Sequence, residues 1–483
     1  MKRKALLNYR LMLHTTGGLL LLESAAMLIP TLFSVANAET AQTSWYKALG
    51  ITLGVALLLM GLFRKNLGTW GKREGYLVVA SVWAVFSAFA ALPFMMNGTV
   101  HSFTDGFFES MSGFTTTGAS ILPNVEAVPR SFLLWRALMQ WMGGMGIIVL
   151  SLAFGFGGMQ LYMAEVSGPT KEKISPRLTQ TAKMLWSYYL IITAVLILLL
   201  CIGGMDVFDS VCQAFATVST GGFSTKAASI SYWTSPFIQY VLIFFMLFCS
   251  LNFSVTFFLF NGKPRQALRD EECRNFLLFV GGFVAFTFVV NLFTNTNWAT
   301  ETAFRKSAFM ISTAMSGTGF YTDDIMGWST PIWLIFIVVM LLGGCSGSAS
   351  GGLKMVRVSV LVKNSYAEFK RLLHPNAMIP LKFNKKAIDA EIINNALAFV
   401  SLYIGITLIS IVAMLLIGLA PAEAIGSVVS SIGNVGMGFG TLSMGSYYPI
   451  PDSAKWICSL LMLMGRLEIF TVVFVFTPAF WRR

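Results

Sequence analysis

The sequence predicts an all-α integral membrane protein in which four similar repeats surround a pseudo-fourfold axis, with an extra helix pair at the N-terminus. Three observations predict this fold: the composition, the number of long apolar stretches, and four glycine-rich clusters at nearly constant spacing. Apolar residues make up 55% of the 483 residues and charged residues only 12%, about half the ~25% of a soluble protein. Such a chain has too few polar side chains to cover a water-facing surface, so we expect it to lie in a membrane.

Ten apolar stretches qualify or nearly qualify as transmembrane helices, which need about 20 residues to cross ~30 Å of hydrocarbon. The second stretch is short, and a glycine-rich run interrupts the eighth. Their even number places both termini on the same side of the membrane. The predicted spans lie near residues 11–33, 48–63, 76–96, 132–156, 184–204, 234–260, 275–293, 331–360, 393–419 and 456–480.

Basic residues indicate which side this is. Most of the 34 Lys and Arg residues lie at the termini or in alternate connections, with the largest group in the polar stretch 354–386. Cytoplasmic connections of membrane proteins carry such an excess of Lys and Arg. Both termini are therefore predicted to be cytoplasmic, and topology explains the net charge of +12 without a nucleic-acid partner.

The first span has features of a secretory signal peptide. Its start is basic, and Ala36-Asn37-Ala38 resembles a cleavage site. Its apolar run is longer than the ~7–15 residues of a signal peptide, and it contains Glu23. We therefore expect this segment to be retained as a transmembrane helix.

The four connections predicted on the outer side share one pattern. Each contains an apolar segment too short to span the membrane, then a cluster of Gly, Thr, Ser or Asn, and then the next span. The predicted short helices lie at 105–116, 209–219, 305–316 and 423–433. One glycine in each cluster recurs about every 100 residues, which indicates an internal repeat. These glycines are Gly118, Gly221, Gly319 and Gly436.

The clusters are predicted to form an ion filter. Backbone that enters the membrane without crossing it is tolerated only where it lines a wet cavity or is buried in protein. Glycine permits dihedrals that turn successive carbonyl groups toward one axis, and four such segments can replace the hydration shell of a large monovalent cation. Four ordinary loops with incidental glycine turns are the alternative, but the fourfold repetition favours a filter. The candidate filter residues are Thr116, Thr117, Gly118, Ser219, Thr220, Gly221, Gly317, Thr318, Gly319, Asn434, Val435 and Gly436.

Three further motifs accompany the filter pattern. Residues 136–146 read Arg-x-x-x-Gln-Trp-x-Gly-Gly-Met-Gly, residues 343–348 read Gly-Gly-Cys-Ser-Gly-Ser, and residues 465–468 read Gly-Arg-Leu-Glu. Over essentially the whole chain, this set resembles the TrkH family of bacterial potassium uptake proteins, which is related to KtrB and to plant HKT transporters. The resemblance implies a homodimer in the bacterial inner membrane, with the potassium ion as substrate and no cofactor in this chain. It also implies a cytoplasmic nucleotide-binding regulatory subunit similar to TrkA.

A run of ten small residues interrupts the predicted eighth span. Five of them are glycine, each of which disfavours a helix by ~1 kcal/mol. Close helix packing through small residues is one explanation. The other, favoured by the resemblance, is an unwound loop that obstructs the pore and moves when it opens. These candidate gate residues are Gly343, Gly344, Cys345, Ser346, Gly347, Ser348, Ala349, Ser350, Gly351 and Gly352.

Arg466 is assigned to the same gate. It lies within the predicted tenth span, where an arginine is costly unless it finds a partner or a wet cavity. We expect Arg466 to face the pore beneath the filter and to donate hydrogen bonds to carbonyls of the gate loop. Structural pairing with another span is the alternative. Glu468 is expected to point to another face of the same helix.

Acidic residues precede the glycine clusters. Asp105, Asp209 and Glu423 lie at the predicted starts of the short helices, where the helix dipole favours a carboxylate. Helix capping is their expected role, with attraction of cations to the pore mouth as a second effect.

These features divide the chain into five predicted units. An N-terminal helix pair (1–73) precedes pore repeat 1 (74–167) and pore repeat 2 (168–262). Pore repeat 3 (263–386) contains the gate loop 343–352 and a cytoplasmic segment, and pore repeat 4 (387–483) ends the chain.

The function predicted from these features is channel-like potassium uptake, with a symporter coupled to sodium or protons as the alternative. Neither the three His nor the six Cys residues show the spacing of a metal site. The chain also lacks the phosphate-binding loop of an ATPase and an intramembrane catalytic constellation. An enzyme is therefore not expected.

Overall fold

The protein is described from a computed structural model, which covers residues 7–65, 71–146, 178–252, 255–256, 259, 262–294, 298–377 and 379–482. The predicted end of the fourth span (147–156) and the predicted boundary at 167/168 lie outside these residues. In the N-terminal half the helices are α1 (Tyr9–Ala36), α2 (Gln42–Leu62), α3 (Lys72–Ala90), α4 (Leu92–Met96), α5 (Phe103–Phe114), α6 (Arg130–Gly144), α7 (Leu178–Ile202), α8 (Val207–Val218) and α9 (Pro236–Cys249).

The second half of the chain is also mainly helical. Its helices are α10 (Pro264–Ala267), α11 (Glu271–Thr294), α12 (Thr300–Ser316), α13 (Thr330–Leu342), α14 (Met355–Leu373), α15 (Ala390–Ile417), α16 (Pro421–Gly433), α17 (Asp452–Arg466), α18 (Ile469–Phe476) and α19 (Pro478–Trp481). Two short strands, β1 (Lys382–Phe383) and β2 (Lys386–Ala387), pair antiparallel in the connection between α14 and α15. The fold is therefore the predicted all-α membrane architecture.

Six of the described helices are long and apolar enough to cross a membrane, and a bent pair can provide a seventh. The six are α1, α2, the segment Arg73–Met96, the segment Lys183–Ile202, α11 and α15. Within the described residues, the predicted sixth span contains the shorter apolar helix α9, and the predicted eighth span contains α13 and the start of α14. The fourth span begins as α6.

Each repeat contains a helix that leads into one of the four glycine clusters. The short helices α5, α8, α12 and α16 are each followed by an irregular segment, a 3-10 turn and another helix. Three of them match the predicted ranges closely. The third begins at Thr300 rather than at residue 305, so it is a longer helix than the sequence predicted.

The predicted eighth span is not one helix. α13 ends at Leu342, the glycine-rich run is irregular, and α14 begins at Met355. Gly343 and Gly352 have φ values of 70° and 78°, in the left-handed region that glycine tolerates and a continuing helix does not. The interruption that the sequence predicted in this span is therefore present as an unwound loop, and its role as a gate stays a prediction.

The predicted tenth span is also broken. α17 and α18 meet at an angle of 118° around Leu467 and Glu468. Glu468 has φ of 59°, which is unfavourable for a residue with a side chain and ends a helix. The sequence predicted a continuous helix because both halves are apolar, and hydropathy carries no information about this break.

The N-terminal helix pair packs on the first repeat. Trp45 of α2 stacks at an angle on Phe132 of α6, and its indole donates a hydrogen bond to Ser131 Oγ, 3.0 Å away. In α1, Glu23 is only 1% exposed, and its carboxyl oxygens make no hydrogen bond with the described part of the chain. Glu23 is thus packed in the protein interior and does not reach the membrane surface.

Candidate ion pore

The four short helices end in segments with the same backbone hydrogen bond. In each, a backbone amide two or three residues after the last helical residue donates to the carbonyl five positions earlier. The four bonds are Thr117 N to Ser112 O (2.9 Å), Gly221 N to Ala216 O (2.7 Å), Thr318 N to Thr313 O (2.9 Å) and Val435 N to Ser430 O (2.9 Å). This shared bond identifies equivalent positions in the four repeats.

The backbone dihedrals give the same alignment. In every repeat the residue before the hydrogen-bonded amide and the residue after it are both left-handed. The first set is Thr116, Thr220, Gly317 and Asn434, with φ of 54°, 55°, 72° and 52°, and the second is Gly118, Gly222, Gly319 and Gly436, with φ of 85°, 78°, 82° and 88°. We call residues 116–118, 220–222, 317–319 and 434–436 the filter segments.

The filter segments contact one another in a closed ring. A Cβ atom added to Gly118 would lie 2.2 Å from the carbonyl oxygen of Gly221, and each later segment meets its neighbour in the same way. The remaining contacts are Gly222 with Thr318 O (1.9 Å), Gly319 with Val435 O (1.8 Å) and Gly436 with Thr117 O (2.3 Å). A side chain at any of these glycines would collide with the backbone of the next segment.

The second segment differs from the prediction by one residue. The sequence aligned Ser219, Thr220 and Gly221 with the other clusters, so that Gly221 matched Gly118. The left-handed φ and the contact with the third segment belong instead to Gly222. Two adjacent glycines cannot be told apart by residue type, and only the backbone shows which one carries the strained conformation.

Two amide side chains hold the ring in place. Asn434 Nδ2 donates to Thr117 Oγ1 (3.0 Å) and to the carbonyl of Met462 in α17 (2.9 Å). Gln140 of α6 donates from Nε2 to Gly221 O (2.6 Å) and accepts from Phe223 N (3.0 Å). The first contact closes the ring between repeats 4 and 1, and the second joins repeats 1 and 2.

A buried ion pair lies behind the first filter segment. Arg136 Nε is 2.7 Å from Glu109 Oε1, and the side chains are 2% and 0% exposed. Arg136 also donates to Ser120 Oγ (3.0 Å) and to the carbonyl of Ser224 (3.2 Å) in repeat 2. The second carboxylate oxygen of Glu109 accepts from Ile121 N. Sequence reasoning noted Arg136 only as part of a motif and missed Glu109, although an acid inside a half-membrane helix was a usable signal.

The acids at the helix starts accept hydrogen bonds from residues outside their own helices. Asp105 accepts from Lys455 of repeat 4 (2.7 Å), and Asp209 accepts from Thr225 (2.8 Å). Glu423 accepts from Thr441 (2.6 Å). Glu301 lies in the first turn of α12 and completes the set; the sequence missed it because the predicted helix began too late.

Their role differs from the predicted one. The caps of α5 and α8 are Ser102 and Asp206, whose side chains accept the first free amides. Asp105, Asp209 and Glu423 remain in the favourable first turn, but their carboxylates bond to residues beyond the filter. A tyrosine also links two repeats: the hydroxyl of Tyr321, just after the third segment, donates to Ala227 O in repeat 2. Burial raises the pKa of this hydroxyl to about 12.

The glycine-rich run packs against the filter and α9. Cys345 N donates to Ser250 O (2.9 Å), and Met355 N donates to Gly344 O (2.9 Å). A Cβ added to Gly351 would lie 2.7 Å from both Gly433 O and Asn434 Oδ1. The loop is therefore in direct contact with the fourth filter segment, and its small residues are what permit this approach.

Arg466 joins three parts of the structure. Its guanidinium donates to Ala349 O in the loop and, from Nη2, to the carbonyls of Gly143 (2.5 Å) and Gly144 (3.0 Å) at the end of α6. Nη1 is also 3.4 Å from Thr116 Oγ1 of the first filter segment. The expected contact with a loop carbonyl is present, and so is the alternative of pairing with another span.

A single carboxylate contacts both the loop and the first turn of α14. Glu272 Oε1 accepts from Ser346 N (2.5 Å) and from Val356 N (3.1 Å), an arrangement that we call the Glu272 clamp. Next to it, Arg357 pairs with Glu468 at the break between α17 and α18 (2.5 Å) and lies 3.9 Å from the centre of the Phe399 ring. Sequence reasoning found neither contact, because the partners are far apart in the chain.

Known proteins resemble the chain over its whole length. A family model described as a cation transport protein, TrkH, matches residues 51–483. The Trk system potassium uptake protein TrkH of Escherichia coli K12 is 37% identical over 99% of this chain and 100% of that protein. The protein of the same name from Halomonas elongata is 36% identical over the same shares of the two chains.

A solved structure has the same fold. The crystal structure of the potassium transporter TrkH from Vibrio parahaemolyticus aligns with a TM-score of 0.88 and 30% sequence identity. The alignment covers 99% of this chain and 100% of that chain.

Proposed function

This chain belongs to the TrkH family of cation transport proteins, and on that premise we propose that it takes up potassium through the ring of four filter segments. The observation that carries this proposal is the closed ring of contacts among segments with the same left-handed backbone. The related proteins are named as potassium uptake proteins and as a potassium transporter.

The proposed filter acts through backbone carbonyl groups. A potassium ion entering the ring exchanges its hydration water for carbonyl oxygens of the four segments. Alternating left-handed residues allow successive carbonyls to face one direction, which supports this role. The helices α5, α8, α12 and α16 end at the segments, so the negative ends of four helix dipoles favour a cation there.

The proposed gate consists of the loop 343–352 and Arg466. The loop lies against the fourth filter segment, and Arg466 contacts both the loop and the first segment. A fixed positive charge next to the filter raises the free energy of a passing cation. Opening then requires the loop and the guanidinium to move away together.

The proposed setting is the bacterial inner membrane, with both termini cytoplasmic and two copies of the chain in a dimer. The relatives are named as parts of a Trk system, which supports a further subunit. We take that subunit to be a TrkA-like protein that binds nucleotide on the cytoplasmic side and shifts the gate.

Growth, ion flux and current measurements test this function. Expression should restore growth of a potassium-uptake-deficient bacterium at low potassium, and purified protein should carry rubidium into liposomes. Currents that reverse at the potassium equilibrium potential support channel-like permeation. A reversal potential that follows the sodium or proton gradient would instead establish coupled symport, and an absence of both growth rescue and flux would refute potassium uptake.

A further inference from the structure

A cavity with three lysines in its lining shares no residue with the filter segments or with the loop 343–352. It has a volume of about 350 Å³ and opens between α14 and the segment 379–382. Its polar lining includes Lys363, Lys370 and Lys382, and its apolar lining includes Tyr366 and Leu381. We call it the α14 cavity. None of the carboxylates in the described chain lines it.

The α14 cavity is located where the membrane begins. Lys363 forms an ion pair with Glu271, the first residue of α11, which is long and apolar enough to span the membrane. The same lysine donates to the carbonyl of Lys382, 2.7 Å away. The end of a spanning helix marks the boundary between hydrocarbon and lipid headgroups, so the cavity lies at the height of the headgroups.

Its charge suits an anion. Lys370 and Lys382 are exposed and form no ion pair with the carboxylates of the described residues. Glu368, on the same helix, pairs with Arg371 instead. Two ammonium groups without a paired carboxylate at a membrane surface attract the phosphate of an anionic lipid.

An apolar stripe runs along α14 beside the cavity. Val362, Tyr366, Phe369 and Leu373 are 59–76% exposed, and their spacing of four, three and four residues places them on one helix face. Exposed aromatic and aliphatic side chains next to lysines are typical of a helix that lies in the membrane interface. A soluble phosphate compound would leave this stripe uncovered, whereas a phospholipid supplies both a phosphate and an acyl chain.

We propose that the α14 cavity binds the phosphate headgroup of an anionic phospholipid, whose acyl chain covers the apolar stripe. The site is independent of the proposed filter and goes beyond potassium transport. It binds lipid whether or not the loop 343–352 acts as a gate.

The test measures bound lipid directly. Wild-type protein in nanodiscs of mixed phosphatidylglycerol and phosphatidylcholine is released into mild detergent, and retained lipid is counted by native mass spectrometry. We expect the double variant Lys370→Gln/Lys382→Gln to retain roughly tenfold less phosphatidylglycerol. Lys370→Arg/Lys382→Arg should restore retention, and Lys385→Gln/Lys386→Gln, with the same charge change outside the cavity, should behave like wild type.

Three outcomes would overturn the proposal. Equal loss in the two Gln variants would mean general surface electrostatics and no site. Displacement of bound lipid signal by millimolar inorganic phosphate, with no preference for phosphatidylglycerol, would assign the cavity to a soluble anion. If Tyr366→Ser/Phe369→Ser dissociates the dimer without changing lipid retention, the stripe is a subunit interface. Size-exclusion profiles of all variants verify folding.

Discussion

The amide of Asn434 donates a hydrogen bond to the hydroxyl of Thr117, 3.0 Å away, although the two residues are 317 positions apart in the chain. The bond closes the ring of filter segments between the last repeat and the first. The same amide nitrogen donates to Met462 O in α17, the helix that ends at Arg466. One side chain therefore links the filter to the helix that carries the proposed gate arginine.

The first prediction concerns the register of the second filter segment. Gly222→Ser should lower the potassium-to-sodium permeability ratio by roughly tenfold, as should Gly118→Ser, because both positions are left-handed and face the next segment's backbone. Gly221→Ser should have a smaller effect, since its added atom meets the end of the Gln140 side chain and not the backbone of the next segment. Ion flux in liposomes under potassium and sodium gradients gives the ratio. A larger effect at Gly221 than at Gly222 would restore the alignment expected from the sequence.

The second prediction concerns the gate. Shortening the loop 343–352 and replacing Arg466 by Ala should each increase rubidium flux in the absence of a partner subunit. The double variant should gain less than the sum of the single variants, because both changes act on one closed state. Lys226→Ala, a basic residue near Tyr232 and away from the loop, is the control. Flux at or below the wild-type level in both folded single variants would mean that the loop only fills space.

The third prediction concerns the Glu272 clamp. Glu272→Ala leaves two buried backbone amides without their acceptor, at a cost of about 1–3 kcal/mol each, and so should destabilise the closed loop and raise flux. Glu272→Gln keeps one carbonyl oxygen and should give a smaller increase. Glu271→Gln is the matched control, because the Glu271 carboxylate bonds Lys363 and Asn384 and makes no hydrogen bond to the loop. Equal flux in Glu272→Ala and wild type would show that the clamp does not restrain the loop.

The fourth prediction concerns stability. Glu109→Gln should lower the free energy of unfolding by roughly 3–5 kcal/mol, because it leaves the buried Arg136 charge without its counter-charge. Glu301→Gln removes the ion pair with Arg305, in which the Glu301 side chain is 52% exposed, and should cost under about 1 kcal/mol. Thermal unfolding of the two variants in the same detergent compares them. Similar melting temperatures would mean that the Arg136 hydrogen bonds, and not the ion pair, stabilise the region behind the filter.

The sequence by itself determined the class of protein, the all-α fold, the family resemblance and the existence of four repeats. These depend on hydropathy and on residue type at fixed spacing, which are local properties of the chain. The filter and gate roles of the named residues, the domain boundaries and the cytoplasmic location of the termini remain predictions.

Only the tertiary structure decided which glycine of the second segment is strained, where the last span breaks, and which charges pair. Gly221 and Gly222 are the same residue type, but only Gly222 has a left-handed φ and lies against the third segment. Glu468 has a left-handed φ at the break of the last span, and Arg357, 111 positions earlier, binds its carboxylate. Such contacts join residues that are distant in sequence, and no local pattern of side chains contains the distances between them.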